Sequence, residues 1–436
     1  MIDNDNFYMR MLRQIYGSKL ARINLVKFYN FVELAKYQLL FTLFFAIQQC
    51  LNWPILKFFE WRGTVMFWDS SLVLTSADCY LSVDLAVYNG ANGDPCTGYL
   101  YGSNLLKFLT FLNIGGITAP LFGWTFLIVL ANIFGFLIFL SKSIGFYKAS
   151  LLSLIFLSPP IFLLIERGNF DALMFISFFI AVILNSYGYK LISFIIILTI
   201  STWKFYTFPL AILTLFAIKK AYLRLFGLAL FLLGIIQAIR DLSLIPNISV
   251  AVADGSFGLQ VWGSYLNMLG IPIDIFRSYI FGFSLLVISW RVLIFFKSKI
   301  SLDTKVFSDF GAKQRFASLL FQSSFVVFFS CYIFGLNYDY RLIFLSTACM
   351  GFILMGNNFQ KLEFVQNLVL ILTIACMWFS FNSNVLQPVG DFAMILLICI
   401  FTINLAILPP SLYLFEFDTL KARAKRVISQ VKRSSK

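Results

Sequence analysis

Charged side chains that can bind an anion or accept a proton interrupt two apolar runs of this chain. The stretch IERGNFDALMF contains Glu166, Arg167, Asn169 and Asp171, and the stretch TWKFYTFP adds Lys204. Arg binds a phosphate through two parallel hydrogen bonds, Lys binds it as a point charge, and a positioned carboxylate accepts a proton. These residue types could therefore bind an anionic group and accept a proton, or they could pair with one another at the ends of helices.

The elements around these stretches are predicted to be membrane helices. Of 436 residues, 60% are hydrophobic and only 12% are charged, far below the ~25% charged residues of soluble domains. Apolar runs of the length that crosses a bilayer recur along the chain. The sequence therefore predicts an all-α polytopic membrane protein with about twelve transmembrane or re-entrant helices. The helices expected at 189–202 and 205–218 are too short to span the bilayer comfortably.

The charge distribution predicts the topology of the chain. With twelve helices both termini lie on one side, and most of the 34 Lys and Arg residues fall on that side. The positive-inside rule then makes the termini cytoplasmic, in a bacterial inner membrane or, in a eukaryote, the endoplasmic reticulum membrane. The predicted parts are a basic cytoplasmic segment over 1–33, a transmembrane domain over 34–408 with outer loops over 62–116 and 240–275, and a basic cytoplasmic tail over 409–436.

Composition also excludes several kinds of chemistry. The chain has no His, which removes His-based zinc sites and Ser-His-Asp triads. The basic tail is typical of attraction to anionic lipid rather than to nucleic acid. Two of the seven cysteines, Cys79 and Cys96, fall in the first outer loop and could be bridged in an oxidising compartment.

Every unusual polar group falls on the predicted outer side. Arg240 follows an apolar run there, and the stretch GLNYDYRL adds Asp339 and Arg341. Ionisable groups at membrane depth are costly and usually line a cavity, where they pair with each other or with a ligand. The alternative for any one of them is an interfacial cap or a helix-end ion pair. For Asn169, capping of the following helix with Asp171 and contact with a substrate are equally open.

Three stretches, with NYDYRL as a compatible fourth, resemble a known family. The sequences DLAVYNGANGDPC…YLYGSNLL, ERGNFDALMF and WKFYTFP are similar in order and spacing to motifs of the GT-C class of membrane glycosyltransferases. The likeness covers residues 84–209 and is nearest to polyprenol- or dolichol-phosphate-mannose-dependent mannosyltransferases. The chain departs from the family pattern at Cys96, where Tyr is usual, at Gly102–Ser103, where Pro is frequent, and at Pro209, which follows Tyr206 by three residues.

The resemblance implies a GT-C fold with a long first outer loop that carries the catalytic carboxylate. It also implies an inverting transfer of a sugar, mannose or another hexose, from a polyprenyl-phosphate donor to a lipid-linked or glycan acceptor. Asp84 is the expected general base and Asp78 the second candidate. The expected donor-phosphate ligands are Lys204, Arg341, Arg240 and Arg167, and the residues expected to bind or orient sugar or acceptor are Glu166, Asn169, Asp171, Tyr206 and Asp339.

No metal or other cofactor is expected, because the first outer loop lacks a DxD motif. Three other function classes stay open. A transporter or flippase would place its polar groups near the bilayer midplane on broken helices. A surface-polysaccharide ligase or polymerase would share the lipid-phosphate donor, and a non-catalytic scaffold would leave the outer cations unexplained.

Overall fold

A computed structural model describes residues 19–51, 67–83, 101–244, 256–295, 312–333, 337–355, 363–380 and 386–408. These residues form helices joined by short turns, with one pair of two-residue strands. The prediction of an all-α, multi-pass membrane protein is confirmed at this level.

The helices are numbered in chain order over the described residues. They are α1 (Lys19–Cys50), α2 (Trp68–Val83), α3 (Ser103–Phe111), α4 (Ala119–Ser141), α5 (Phe146–Phe156), α6 (Pro159–Glu166), α7 (Asp171–Ser186), α8 (Lys190–Trp203), α9 (Phe208–Phe216), α10 (Ala221–Leu244), α11 (Val261–Met268), α12 (Ile275–Phe295), α13 (Ala312–Ile333), α14 (Ile343–Met355), α15 (Glu363–Phe379) and α16 (Gln387–Ile407). Strand β1 (Ser256–Phe257) pairs antiparallel with β2 (Asn337–Tyr338).

Six helices of the described residues are long and apolar enough to cross a membrane, and the count of about twelve transmembrane or re-entrant helices stays a prediction. A seventh span is obtained if α5 and α6 form one crossing, bent by 46° at their junction. Ser158 precedes Pro159 and Pro160 there, and Pro at the first helical positions starts a new helix without extending the old one. The remaining predicted spans are present as shorter apolar helices: Asp171–Ser186, Lys190–Trp203, Phe205–Phe216, Ile343–Met355 and Glu363–Phe379.

Element boundaries differ from the predictions mainly where polar residues continue a helix. Helix α1 begins at Lys19, inside the predicted cytoplasmic segment, because no Gly or Pro interrupts its polar first turns. The first outer loop contains the two helices α2 and α3, and the second contains α11. Both loops are therefore built partly from short helices.

Buried phenylalanines join the first helices into one core. Phe45 of α1, Phe134 of α4 and Phe162 of α6 are fully buried and pack edge to face, with ring centroids about 6 Å apart. Phe134 also stacks on Phe156 at 4.8 Å. Offset and edge-on aromatic pairs of this kind favour a defined ring geometry, so this core fixes the position of the turn that follows α6.

The neighbouring helices α7 and α8 position that turn and the one after α8. A three-residue connection, Tyr187–Tyr189, makes the two helices antiparallel, so the start of α7 and the end of α8 lie together. At 16 and 14 residues they extend about 24 and 21 Å, less than the ~30 Å hydrocarbon core. Each of the two helices is therefore shorter than a straight crossing of the hydrocarbon core.

Candidate functional site

Asp171 is the centre of a buried polar cluster. Its carboxylate accepts hydrogen bonds from Lys204 Nζ at 3.2 Å, from the Tyr206 hydroxyl at 2.6 Å and from Arg341 Nε at 3.2 Å. Its side chain is fully inaccessible to solvent. We call Asp171, Lys204, Tyr206 and Arg341 the Asp171 cluster. It brings together four of the residues that the sequence predicts to be functional.

The turn between α6 and α7 presents Asp171 at the first position of α7. Gly168 has φ +56°, a left-handed conformation that glycine adopts without strain, and a Cβ there would lie 2.7 Å from Ser70 Oγ. The Asn169 side-chain oxygen accepts the backbone N–H of Asp171 at 2.8 Å. Asn169 therefore satisfies the first N–H of α7 from the position before the N-cap residue, Phe170, which makes no side-chain cap itself.

The start of α2 docks on the same turn. The backbone N–H of Asp69 donates to the Arg167 carbonyl at 3.1 Å, and the Asp69 carboxylate accepts the Asn169 side-chain amide. Arg167 NH1 lies 3.6 Å from Asp69 Oδ1, so Arg167 pairs with Asp69 and not with Glu166 within the turn. Burial raises the pKa of Asp69 above its ordinary value, and the charge of Arg167 opposes that rise.

Tyr101 and Gly102 close the cluster beneath Lys204. Lys204 Nζ lies 4.0 Å from the centre of the Tyr101 ring, a cation–π contact. Gly102 donates its backbone N–H to the Trp203 carbonyl at 2.9 Å, and a Cβ at Gly102 would come within 1.9 Å of the Thr202 carbonyl oxygen. The departure from the family pattern at Gly102 thus allows this backbone to approach the end of α8.

A tight turn between β2 and α14 supplies Arg341. The strand pair places Phe257 opposite Asn337, and the chain then forms a 3₁₀ turn over Asp339–Leu342. From this turn Arg341 reaches Asp171, with its guanidinium carbon 5.2 Å from the centre of the Tyr206 ring. The two cations of the cluster therefore come from turns that are far apart in the sequence.

The Asp171 cluster carries more positive than negative charge. Lys204 and Arg341 share one carboxylate oxygen, Asp171 Oδ2, and their side chains are 10% and 14% exposed. Two cations at this depth are costly unless an anion compensates them. Lys204 lies in the connection between α8 and α9, and burial lowers its pKa to about 8 although Asp171 opposes the change. A bound anion would favour the charged form again.

Glu166 is a buried carboxyl group at the end of α6, close to Arg167 and Asp69. Its side-chain Oε2 has no hydrogen-bond partner among the described residues, and the residue is 4% exposed. An oxygen of this kind can accept a ligand hydroxyl without breaking a protein contact.

Several predicted site residues lie elsewhere. Asp78 is exposed on α2 and accepts the Gly116 backbone N–H at 2.8 Å; nine residues along a helix place it about half a turn from Asp69. Arg240 is exposed on α10 and is not among the residues that contact Asp171. Asp84 lies outside the described residues, and so does the side chain of Asp339.

Sequence reasoning missed the structural roles of Asp69, Tyr101 and Asp241. Asp241 is buried and accepts the Ser103 backbone N–H at 3.0 Å and the Gln237 amide at 2.8 Å. The signal available for Asp69 and Asp241 was a carboxylate at the end of an apolar helix, which by itself does not identify a partner. Ser103 departs from the family pattern together with Gly102, and its backbone N–H thus attaches α3 to Asp241 of α10.

One cysteine of the first outer loop is in a disulfide. Cys79 is disulfide-bonded, whereas five cysteines are not in a disulfide: Cys50, Cys331, Cys349, Cys376 and Cys399. Cys96, the predicted partner, lies outside the described residues. Among the described residues no group of three or more His, Cys, Asp or Glu side chains could hold a metal ion, and the absence of a cofactor stays a prediction.

The Asp171→Asn variant is expected to be about 3 kcal/mol less stable than the wild type, because it leaves two cations without their carboxylate. This loss of stability is at the lower end of the range found when one partner of a buried ion pair is removed, since both cations keep some contact with solvent. The free energy of unfolding, from denaturant titration of the protein in detergent, measures this loss. Asp274→Asn, which removes an exposed carboxylate paired with Arg277, is the control, and equal stability of both variants would contradict the prediction.

Comparison with protein-family models, with curated proteins and with solved structures finds no match to this chain. The assignment to a glycosyltransferase class therefore depends on the sequence motifs and on the geometry of the Asp171 cluster.

Proposed function

We propose that this protein is an inverting glycosyltransferase of the GT-C class that moves a sugar, mannose or another hexose, from a polyprenyl-phosphate donor to a lipid-linked or glycan acceptor. The observation that carries the proposal is the convergence of Lys204 and Arg341 on one oxygen of Asp171. Two cations that meet on one carboxylate oxygen present a pair of charged donors, which suits the phosphate of the donor.

The Asp171 cluster would bind the donor phosphate and stabilise it as it leaves. Asp171 positions Lys204 and Arg341, while Tyr206 and Tyr101 pack against them. In the transfer, the acceptor oxygen attacks the anomeric carbon, and the bond from that carbon to the phosphate oxygen breaks. Its electron pair leaves with the polyprenyl phosphate, whose new charge the two cations stabilise.

Asp84 is proposed to take the proton from the acceptor hydroxyl. A single displacement with one base gives inversion at the anomeric carbon. Glu166 and Asn169 are proposed to bind or orient the sugar, and the free oxygen of Glu166 can accept a sugar hydroxyl. Arg167 is proposed to act through Asp69, which it contacts, and Arg240 and Asp339 retain only their sequence-based assignment.

The proposed setting is the extracytoplasmic face of the membrane, with both termini in the cytoplasm and twelve membrane-embedded segments. The short helices α7, α8, α9, α14 and α15 would then be the segments that do not reach across the bilayer. A polyprenyl chain can lie in the hydrocarbon beside them while its phosphate reaches the Asp171 cluster.

The cluster lies where helices end and not at a break within a spanning helix, which favours transfer over the transporter alternative. The ligase or polymerase alternative shares the donor phosphate and differs in its acceptor, a preassembled glycan chain. Product analysis distinguishes the two, because a ligase moves a whole oligosaccharide and a hexosyltransferase adds one residue.

The proposal is tested by incubating purified protein with a panel of synthetic polyprenyl-phosphate hexoses and membrane-lipid extract as acceptor. One hexose is expected to be transferred, with the anomeric configuration of the product inverted relative to the donor in its NMR coupling constants. Retained configuration would exclude the single displacement. Failure of folded protein to transfer any hexose would favour the ligase or the transporter.

A further inference from the structure

A second buried carboxylate lies apart from the Asp171 cluster. Asp391, in the second turn of α16, is completely buried. The Tyr265 hydroxyl donates a hydrogen bond to Asp391 Oδ2, while Oδ1 has no hydrogen-bond partner among the described residues. Within those residues no Lys or Arg forms an ion pair with Asp391.

Aromatic rings surround this carboxylate. Trp262 and Tyr265, both on α11, pack at an interplanar angle of 79° with centroids 5.6 Å apart, so their rings form a corner. The Trp262 indole N–H donates to the Tyr332 hydroxyl at 3.3 Å. Trp262 and Tyr265 are each 9% exposed whereas Asp391 is fully buried, so the residues on α11 are the more accessible part of this centre.

Tyr332 lies close to both polar centres. It lies near the end of α13 next to Cys331, which is within electrostatic range of Asp171, Lys204 and Arg341. The carbonyl of Tyr332 accepts the Leu259 backbone N–H at 3.0 Å, which attaches the segment before α11 to this helix end. The end of α13 therefore separates a centre rich in cations from one with an uncompensated carboxylate.

The chemistry of the second centre favours a positively charged ligand. A buried carboxyl group without a cationic partner is costly in its charged form and becomes stably charged only when a cation binds, and in that form it repels an anion. Trp and Tyr faces attract ammonium groups, most strongly where water is excluded. A neutral hydroxyl would satisfy Oδ1 without compensating its charge, whereas an ammonium group does both.

We propose that Asp391, Trp262 and Tyr265, with Tyr332, form a binding site for the ammonium group of a ligand that approaches along α11. Two sources supply that chemistry at a membrane surface, namely the head group of an aminophospholipid and an amino sugar. The site is independent of the proposed sugar transfer, because it shares no residue with the Asp171 cluster.

The test measures thermal stabilisation of the purified full-length protein by ethanolamine and by glucosamine, each beside its uncharged counterpart, propan-1-ol and glucose. A ligand that binds only the folded protein raises its melting temperature. At least one ammonium compound is expected to stabilise the wild type while its uncharged counterpart does not. Equal stabilisation by charged and uncharged members, or none by any of the four, would overturn the proposal.

The source is assigned with nanodiscs that contain phosphatidylglycerol with or without phosphatidylethanolamine. Stabilisation by phosphatidylethanolamine identifies a lipid head group as the ligand, and stabilisation by glucosamine alone identifies an amino sugar. Either result supports an ammonium site.

Asp391→Asn keeps the shape of the side chain and removes its charge. Loss of a charge-assisted contact is expected to weaken ammonium binding about 10- to 100-fold, while the melting temperature without ligand stays the same or rises. Asp274→Asn, an exposed carboxylate near α11, should bind as the wild type does. Unchanged affinity in Asp391→Asn would refute the site. If Asp391→Asn does not fold, Trp262→Leu serves instead, and full affinity in that variant would be equally contradictory.

Discussion

Lys204→Met is expected to lower the rate of sugar transfer by about 10²- to 10³-fold, the loss typical of removing one preorganised electrostatic contact to developing charge. The negative charge on the phosphate grows as its bond to the sugar breaks. The loss should therefore be larger in kcat than in the KM for the donor. Initial rates at several donor concentrations measure both quantities.

The structure indicates that Lys204→Met can fold. Arg341 Nε and the Tyr206 hydroxyl still donate to Asp171 when Lys204 is replaced, so the carboxylate keeps a cation and a hydrogen bond. Lys107→Met, at an exposed position on α3, removes the same charge away from the cluster and should transfer normally. Wild-type kcat in a folded Lys204→Met enzyme would remove Lys204 from the mechanism.

Asp84→Asn is expected to reduce transfer by about 10²- to 10⁴-fold, because a positioned general base contributes that much to proton transfer. Binding of the donor should be unaffected, since Asn lacks only the ability to take the proton. Competition between a labelled donor and unlabelled polyprenyl phosphate measures binding separately from turnover.

Two further carboxylates of the first outer loop complete this experiment. Asp94→Asn is the matched control for a change of charge in the loop, and it should leave transfer unchanged. If Asp84→Asn transfers at the wild-type rate, the base lies elsewhere. Asp78→Asn then becomes the informative variant, although Asp78 already accepts the backbone N–H of Gly116.

The sequence predicted which turns carry residues of the site, but not which of these turns contact each other. The turn ERGNFD and Lys204 were identified because charged residues between apolar runs are unusual, and the structure brings Asp171 and Lys204 together. That Asp171 also holds Arg341, 170 positions away, could not be predicted, since local patterns carry no information on which distant turn approaches. Periodicity likewise identified α7 and α8 as apolar helices without deciding how they lie in the membrane.

Asp391, in contrast, is a residue that the structure identifies and the sequence does not. It is a single acidic residue in an apolar run, without a neighbouring motif, and sequence reasoning gave it no role. The structure draws attention to it because its carboxylate is buried beside aromatic rings with one oxygen unpartnered. The apolar run around Asp391 predicts a helix, as the structure has it in α16, yet a helix assignment alone does not indicate which of its residues faces a partner.

The short length of α8 has a consequence for the surrounding lipids, because Ile192 and Ile195 are exposed on this helix. Where an apolar segment is shorter than the hydrocarbon layer, the bilayer adapts by local thinning at a cost for each ångström of mismatch. Lipids with shorter acyl chains would reduce that cost beside α8, and longer chains would increase it. We therefore expect the acyl-chain length of the surrounding lipid to influence the stability of this side of the protein.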